Sequence, residues 1–251
     1  MRNLLKLEFR KLIRQKSFYI CTGIMAALVF LAAVLSNVLL KLVPTEYLEE
    51  IGCSGIHSMI SAAGNSSYTL IICIFASLFI CDDYSQQTIK IIYARGYAKK
   101  SVYFAKLLSL WTAATVMYAT VLLVGFLFGT VFFGVGEVGN FKFLALIGVQ
   151  YIILLSCVSL YFTIASLFRK KGAAISICIV GPIVLNIMLS IADAFREAEN
   201  FLLTDYWVET LLTDASDLTV STKRLLICLA IAVIYMVVLL ALGLFFNQKR
   251  D

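Results

Sequence analysis

Long apolar runs, separated by shorter polar segments, dominate the pattern of residues along this chain. A helix that crosses a membrane needs about 20 mainly apolar residues, and several segments come close to that length. The six predicted spans are 17–40, 59–81, 107–133, 143–168, 173–192 and 225–246. The second span is the weakest, because polar residues and a glycine interrupt its first half: Ser61, Gly64, Asn65, Ser66 and Ser67. A continuous helix and a broken or partly re-entrant start both stay open there.

The composition of the chain agrees with this pattern. Hydrophobic residues make up 61% of the 251 residues and charged residues only 14%, with a mean hydropathy of +0.94. Soluble domains are roughly half apolar, so an ordinary water-soluble globule is excluded. We predict an all-α polytopic membrane protein in which residues 1–251 form one transmembrane domain. One histidine, seven cysteines and no C-x-x-C spacing offer neither a metal site nor a disulfide framework.

The basic residues predict the orientation of the chain. With the N-terminus inside, sixteen of the twenty-one Lys and Arg residues fall in cytoplasmic segments, and eleven of the fifteen acidic residues fall outside. Lys and Arg concentrate on the cytoplasmic side of membrane proteins, so both termini are predicted to be cytoplasmic. The net charge of +6 then describes the inner membrane surface, where basic residues meet anionic headgroups. No nucleic-acid partner is expected.

The segment before the first span, residues 2–16, has the pattern of an amphipathic helix. Four apolar residues recur at i, i+4, i+7 and i+8: Leu5, Phe9, Leu12 and Ile13. A basic line formed by Lys6, Arg10 and Arg14 adjoins them. This pattern predicts an interfacial helix lying on the inner leaflet. The alternative is a simple extension of the first span with positively charged flanks.

Two of the connections between spans are too long to be turns. In the predicted cytoplasmic loop 82–106, Ile89, Ile92 and Tyr93 stand at i, i+3 and i+4, which predicts a short helix ending near Gly96. This helix could serve as a rigid handle, and the alternative is a solvated basic loop. In the predicted external segment 193–224, an aromatic stripe over residues 201–212 indicates an outer interfacial helix that either caps a gate or packs on the bundle rim.

Chemistry-bearing motifs are scarce in the sequence. It contains no G-x-x-x-x-G-K followed by Ser or Thr, no H-E-x-x-H and no G-x-S-x-G, so we expect no enzyme activity and assign ATP hydrolysis to another subunit. The central parts of the spans carry no ionisable residue, which argues against a proton-coupled carrier. Uncharged polar residues either line a path or bond helix to helix, and packing is the better expectation. These residues include Tyr118, Gln150 and Asn186.

Two stretches of sequence, together with six spans and both ends inside, resemble the permease subunits of ABC type-2 transporters. The stretches are MRNLLKLEFRKLIRQKSFYI and DDYSQQTIKIIYARGYAKKSVYFAKLL. The resemblance is strongest to small bacterial permeases of bacitracin and lantibiotic resistance and immunity. The matching elements are Asp83-Tyr84, Thr88-Ile89-Lys90, Gly96, Lys100 and Lys106-Leu107. Gln87 stands where a glycine commonly precedes Thr-Ile-Lys in that family.

The resemblance implies a permease in the bacterial plasma membrane that exports an amphipathic or antimicrobial peptide or a lipid-like compound. Residues 2–16 would be the elbow helix, and the loop after span two would carry the coupling helix that docks on a cytoplasmic ABC ATPase. The coupling residues would be Asp83, Tyr84, Thr88, Lys90, Arg95, Gly96 and Lys100. The partners would be that ATPase and a second permease chain, identical or related. This chain would hold no cofactor, because the ATPase binds ATP and Mg.

Two other classes of function stay open. The first is a membrane-bound enzyme acting on lipid or peptide, for which Asp82, Asp83 and His57 would have to cooperate. The predicted orientation argues against it, because it places the histidine outside and the two aspartates inside. The second is a non-transporting scaffold or sensor subunit.

Overall fold

The computed structural model describes residues 2–42, 54–85, 88–135, 142–168, 171–196, 203–216 and 220–249. Within these ranges the chain folds into ten α-helices. They are α1 Arg2–Arg14, α2 Lys16–Leu42, α3 Gly55–Ala63, α4 Ser67–Ser85, α5 Thr88–Ala94, α6 Lys99–Phe133, α7 Lys142–Leu167, α8 Lys171–Arg196, α9 Val208–Asp214 and α10 Thr222–Lys249.

Six helices of the described ranges are long and apolar enough to cross a membrane, namely α2, α4, α6, α7, α8 and α10. The predicted all-α, six-span architecture is confirmed. Several helices extend past their predicted limits, because a long charged side chain near a helix end can reach the water layer while its backbone continues the helix. The largest difference is in α6, which starts at Lys99 rather than at residue 107. Because α4 also continues to Ser85, the second and third spans are joined by fewer residues than the predicted 82–106 loop.

The second span has a broken start, which is one of the two alternatives that the sequence allowed. α3 ends at Ala63 and α4 begins at Ser67, so the span itself starts at Ser67 rather than at residue 59. The Asn65 side chain stabilises the turn, accepting a 2.9 Å hydrogen bond from the backbone nitrogen of Ser67. α3 packs along the C-terminal half of α6, where Ser58 Oγ donates to the Gly125 carbonyl at 2.9 Å.

α4 and α7 form the centre of the bundle. Their buried residues include large aromatic side chains: Phe75, Phe79, Tyr161 and Phe162. α4 packs against α2, α7 and α8, while α7 also packs against α10. By contrast, α2, α8 and α10 expose many large apolar side chains. Apolar surface of this extent is unfavourable in water and suits a lipid environment.

The bundle has two different ends. One, which we name the α5 end, contains α1, α5, the start of α6 and the C-terminal part of α10, where Gly243 lies beside Tyr103 of α6. The other, the α3 end, contains α3, α9 and the C-terminal part of α6, where the Gly55 nitrogen donates to the Gly134 carbonyl at 2.8 Å. The first and the last helix therefore both reach the α5 end, as an even number of spans requires.

The segment before α10 differs from the predicted outer interfacial helix. Its described part forms a 3-10 turn, Thr204–Tyr206, and then α9, with Trp207 in an extended conformation between them. Three residues of the predicted stripe, Trp207, Leu211 and Leu212, are buried against the bundle, as is the neighbouring Val208. Of the two alternatives for this segment, capping a gate and packing on the bundle rim, the described residues show packing on the bundle. Residues 201 and 202 lie outside the described ranges.

Candidate functional site

α5 is a short helix held against α1 and α6 by apolar contacts. The packed residues are Leu4 of α1, Ile92 of α5, and Val102 and Ala105 of α6. Gly96 closes the end of the helix, since its nitrogen donates to the Tyr93 carbonyl at 2.9 Å. Gly96 has φ 81°, a left-handed conformation that favours glycine. The predicted short helix ending near Gly96 is confirmed.

The residues after α5 form an exposed basic edge, which we name the Arg95–Lys100 edge. Of the predicted coupling residues, Arg95, Gly96 and Lys100 are exposed there. Two more are half-buried, namely Tyr84 near the end of α4 and Thr88 at the start of α5. The side chain of Lys90 and the whole of residue 87 lie outside the described part of the chain. The structure thus brings five of the seven predicted residues to one region of the α5 end, and their contact with an ATPase stays a prediction.

Asp83 does not lie on this exposed edge. Its side chain, 2% exposed, is at the end of α4 and forms ion pairs with Lys11 of α1 and Lys106 of α6. The carboxylate faces the protein interior, so it is not placed to contact a partner as the resemblance implied. A buried carboxylate needs such cations, because an unpaired charge in a low-dielectric interior is strongly unfavourable.

Further charged groups surround Asp83 beneath α1. The Glu8 carboxylate is 1% exposed and lies 3.4 Å from Lys106 Nζ. At the rim, Asp82 pairs with Lys171 of α8, and Gln15 Nε2 donates to Asp82 at 3.2 Å. Three acids and three bases make up what we call the ion-pair cluster: Glu8, Asp82, Asp83, Lys11, Lys106 and Lys171. Their formal charges cancel, and the cluster connects α1, α4, α6 and α8.

The environment of Lys11 illustrates how the ion-pair cluster stabilises a half-buried cation. Burial lowers the pKa of the Lys11 ammonium, while the carboxylates of Glu8 and Asp82 act in the opposite direction. The ammonium also lies 4.8 Å from the centre of the Phe79 ring, which adds a cation–π attraction. Together with Asp83, which pairs directly with Lys11, these groups offset part of the desolvation of this charge.

α1 docks on the bundle through a different face from the predicted one. The buried residues of α1 are Leu4, Glu8 and Leu12, spaced at i, i+4 and i+8. Of the predicted stripe, Leu12 is buried, Leu5 and Phe9 are half-buried, and Ile13 is exposed. The ion pair of Glu8 with Lys106 explains the rotation, because it brings the Glu8 side of the helix against α6. Helix α1 ends at Arg14 and α2 begins at Lys16, so α1 is a separate helix rather than an extension of the first span.

Gln150 and Tyr118 pack helices together inside the bundle. Gln150 is fully buried, and its Nε2 donates to the carbonyls of Ile60 and Ala215, each at 3.1 Å. Its Oε1 accepts a 3.3 Å hydrogen bond from the Tyr118 hydroxyl. These bonds join α3, α6, α7 and the end of α9. Gln150 and Tyr118 therefore bond helix to helix, as expected for packing residues. Asn186 is half-buried on α8, and its part in a path stays a prediction.

Acidic residues near the α3 end also have partners, which the sequence did not indicate. Tyr161, at the centre of the bundle, donates to Glu209 of α9 at 2.5 Å. Arg224 of α10 contacts Asp214 at 2.8 Å and Asp205 at 3.7 Å. These contacts fasten the 3-10 turn and α9 to α7 and α10.

His57 lies far from the two aspartates that an enzyme would need. It lines a cleft near Phe133, the last residue of α6, whereas Asp83 contacts Lys106 in the second turn of α6. At 1.5 Å per residue, the α6 segment between them is about 40 Å long. The three residues cannot share one catalytic centre.

A comparison with protein families identifies the chain. The model described as "ABC-2 family transporter protein" matches residues 4–189, which include most of α1, the Arg95–Lys100 edge and the whole ion-pair cluster. The chain belongs to this family. It is therefore a membrane permease of an ABC transporter, a transport subunit rather than an enzyme, and membership implies an ABC ATPase as partner. No curated protein matches the permease.

Proposed function

We propose that this permease exports an amphipathic or antimicrobial peptide, or a lipid-like compound, across a bacterial plasma membrane. It pairs with a second permease chain and with two cytoplasmic ATPases, which bind ATP and Mg. The resemblance of its coupling segment to bacitracin and lantibiotic permeases supports this type of cargo. The observation that carries the coupling role is the exposed Arg95–Lys100 edge beside α5, within the part that the family model matches.

Two sets of contacts would transmit movement of α5 into the bundle. Ile92 of α5 is packed against Leu4 of α1 and Val102 of α6, and the ion-pair cluster ties the same two helices to α4. Closely packed interiors transmit displacement because they are hard to compress. Closure of the ATPases would therefore shift α1, α5 and the start of α6 together, and this rigid-body step would alternate access to a path between two permease bundles.

Reversing the charge of the basic edge tests the ATPase contact. The double variant Arg95→Glu with Lys100→Glu should reduce the amount of ATPase that copurifies with the permease by about tenfold or more. A basic edge pairs with acidic groups of its partner, and the reversed charges would repel those groups. The matched control reverses two exposed lysines at the α3 end, Lys41→Glu with Lys142→Glu, and should copurify the ATPase normally. The measurement is normalised to permease in the membrane, because basic residues also direct topology. Equal ATPase recovery with both variants would contradict the proposal.

A further inference from the structure

A cleft opens at the α3 end, on the opposite side of the bundle from the Arg95–Lys100 edge. Its volume is ≈ 210 Å³, which is enough space for about seven water molecules. One wall is aliphatic and belongs to α2, with Val29, Ala32 and Ala33. The other wall is polar and belongs to α3 and the residues that follow it, with His57, Ser61 and Tyr68. The cleft is thus amphipathic in cross-section.

The polar wall has hydrogen-bonding capacity to spare. Ser58, which also lines the cleft, already donates to the Gly125 carbonyl. In the described part of the chain, the side chains of His57, Ser61 and Tyr68 have no hydrogen-bond partner. An imidazole and two hydroxyls supply both donors and acceptors. Groups of this kind beside an apolar wall are typical of a ligand site.

The charge of the lining restricts the ligand. Among the described residues that line the cleft there is no Lys, Arg, Asp or Glu, and the titratable groups are those of His57 and Tyr68. A cation would find no carboxylate here, and leaving water without an opposite charge is costly for an ion. An uncharged polar group avoids this cost and can still use the free donors and acceptors.

We propose that this cleft binds the uncharged polar group of an amphipathic molecule, with its apolar chain lying along the α2 wall. The chemistry required is an amide or hydroxyl on an aliphatic chain, which either an acylated peptide or a neutral lipid can supply. That the occupant is cargo rests on the proposed transport function, whereas the binding itself does not. The site belongs to the permease alone and needs no ATPase.

Photo-crosslinking to the purified full-length permease in lipid nanodiscs, without ATPase, tests the site. Three photoreactive probes are compared: an acyl dipeptide amide, its lysine-containing cationic counterpart, and a diacylglycerol. Labelling within α2–α4 is expected for at least one of the two neutral probes, and the stronger of these identifies the source of the ligand. The cationic probe should label these helices at least fivefold less than the neutral peptide probe.

Filling the cleft supplies the decisive comparison. Ala32→Phe places a ring at an exposed lining position of α2, and Ala27→Phe makes the same change at an exposed position of α2 that does not line the cleft. The first should lower neutral-probe labelling by about tenfold and the second should leave it unchanged. Tyr68→Phe, which removes only a hydroxyl, should lower it about fivefold, while the exposed Tyr19→Phe should not.

Equal labelling of Ala32→Phe and Ala27→Phe would overturn the proposal, and so would stronger labelling by the cationic probe. Because no ATPase is present, either result would leave the charge-reversal test of the Arg95–Lys100 edge unaffected. Conversely, normal ATPase recovery by Arg95→Glu with Lys100→Glu would contradict the proposed coupling role but would not affect the proposed ligand site in the cleft. The two proposals can therefore fail separately.

Discussion

Replacing Lys106 by methionine should lower the free energy of unfolding by about 3–5 kcal/mol, because it breaks a buried ion pair from one side. The Lys106 ammonium contacts both Asp83 and Glu8, and these carboxylates are 2% and 1% exposed. Methionine fills a similar volume but leaves Glu8 without this cation. The free energy can be measured by titrating the detergent-solubilised permease with a denaturing detergent and following the loss of helical circular dichroism.

Lys171→Met is the matched control for this prediction. Lys171 also pairs with a carboxylate of the ion-pair cluster, Asp82, but its side chain is 45% exposed. Exposed ion pairs contribute at most about 1 kcal/mol, because water solvates either charge when the other is removed. If Lys106→Met destabilises the permease no more than Lys171→Met does, the cluster does not hold α1 on the bundle in the way described.

Neutralising the acids should restore much of what Lys106→Met loses. In the triple variant Lys106→Met with Glu8→Gln and Asp83→Asn, no buried carboxylate is left without its cation, while Lys11 is partly exposed and can reach water. Replacing a complete buried pair by neutral groups is often close to neutral for stability. If the triple variant is more stable than Lys106→Met, the loss of stability comes from uncompensated charge. If the three substitutions instead destabilise the permease additively, the loss comes from the packing of the lysine stem.

Much of the membrane architecture was predictable, because it depends on the length and apolarity of local segments. A bilayer imposes about 20 apolar residues on each span, and the six segments found on that basis are the six long helices of the structure. Local chemistry also indicated the break before α4, since Gly64, Asn65 and Ser66 are poor residues for the middle of a helix. Gly96 marked the end of α5 for the same kind of reason.

The ion-pair cluster could not be predicted, because its members are brought together by the tertiary fold. Asp83 and Lys11 are 72 residues apart in the sequence. The hydrogen bonds of Gln150 have the same origin, since one of its two carbonyl partners, Ile60, is 90 residues away. Helical periodicity assigned α1 a lipid-facing stripe, but it treats every charged side chain as solvated. Glu8 carried the one available signal, since it stands between Leu4 and Leu12 at spacings of four, on the face that is buried.

The contact between α3 and α6 is indicated in the sequence by the spacing of two glycines in α6. Gly125 and Gly129 have the G-x-x-x-G spacing that lets two helices approach closely in a membrane. In the structure α3 occupies that surface. A Cβ atom on Gly129 would lie 2.0 Å from Ser58 Oγ and 3.0 Å from the Gly55 Cα atom. The approach therefore depends on the missing side chain at this position.

Gly129→Ala should displace α3 from α6 and lower the free energy of unfolding by about 1–3 kcal/mol, the usual cost of overpacking. The neighbouring atoms cannot move aside easily, because they include the α3 backbone at Gly55 and Ser58, whose hydroxyl bonds to the Gly125 carbonyl. Hydrogen exchange should report the displacement as faster exchange of the α3 backbone amides, Gly55–Ala63. The cleft should also change, since α3 contributes its polar wall.

Gly148→Ala provides the comparison for Gly129→Ala. Gly148 also lies inside a spanning helix, α7, but a Cβ atom there would meet nothing within 4 Å. Both substitutions exchange glycine for a better helix former, so any difference between them measures the clash alone. We expect Gly148→Ala to raise the free energy of unfolding by at most about 1 kcal/mol and to leave the exchange of the α3 amides unchanged. Unaltered protection of α3 in Gly129→Ala would mean that α3 does not depend on this glycine for its place against α6, and the close approach would then contribute little to the stability of the second span.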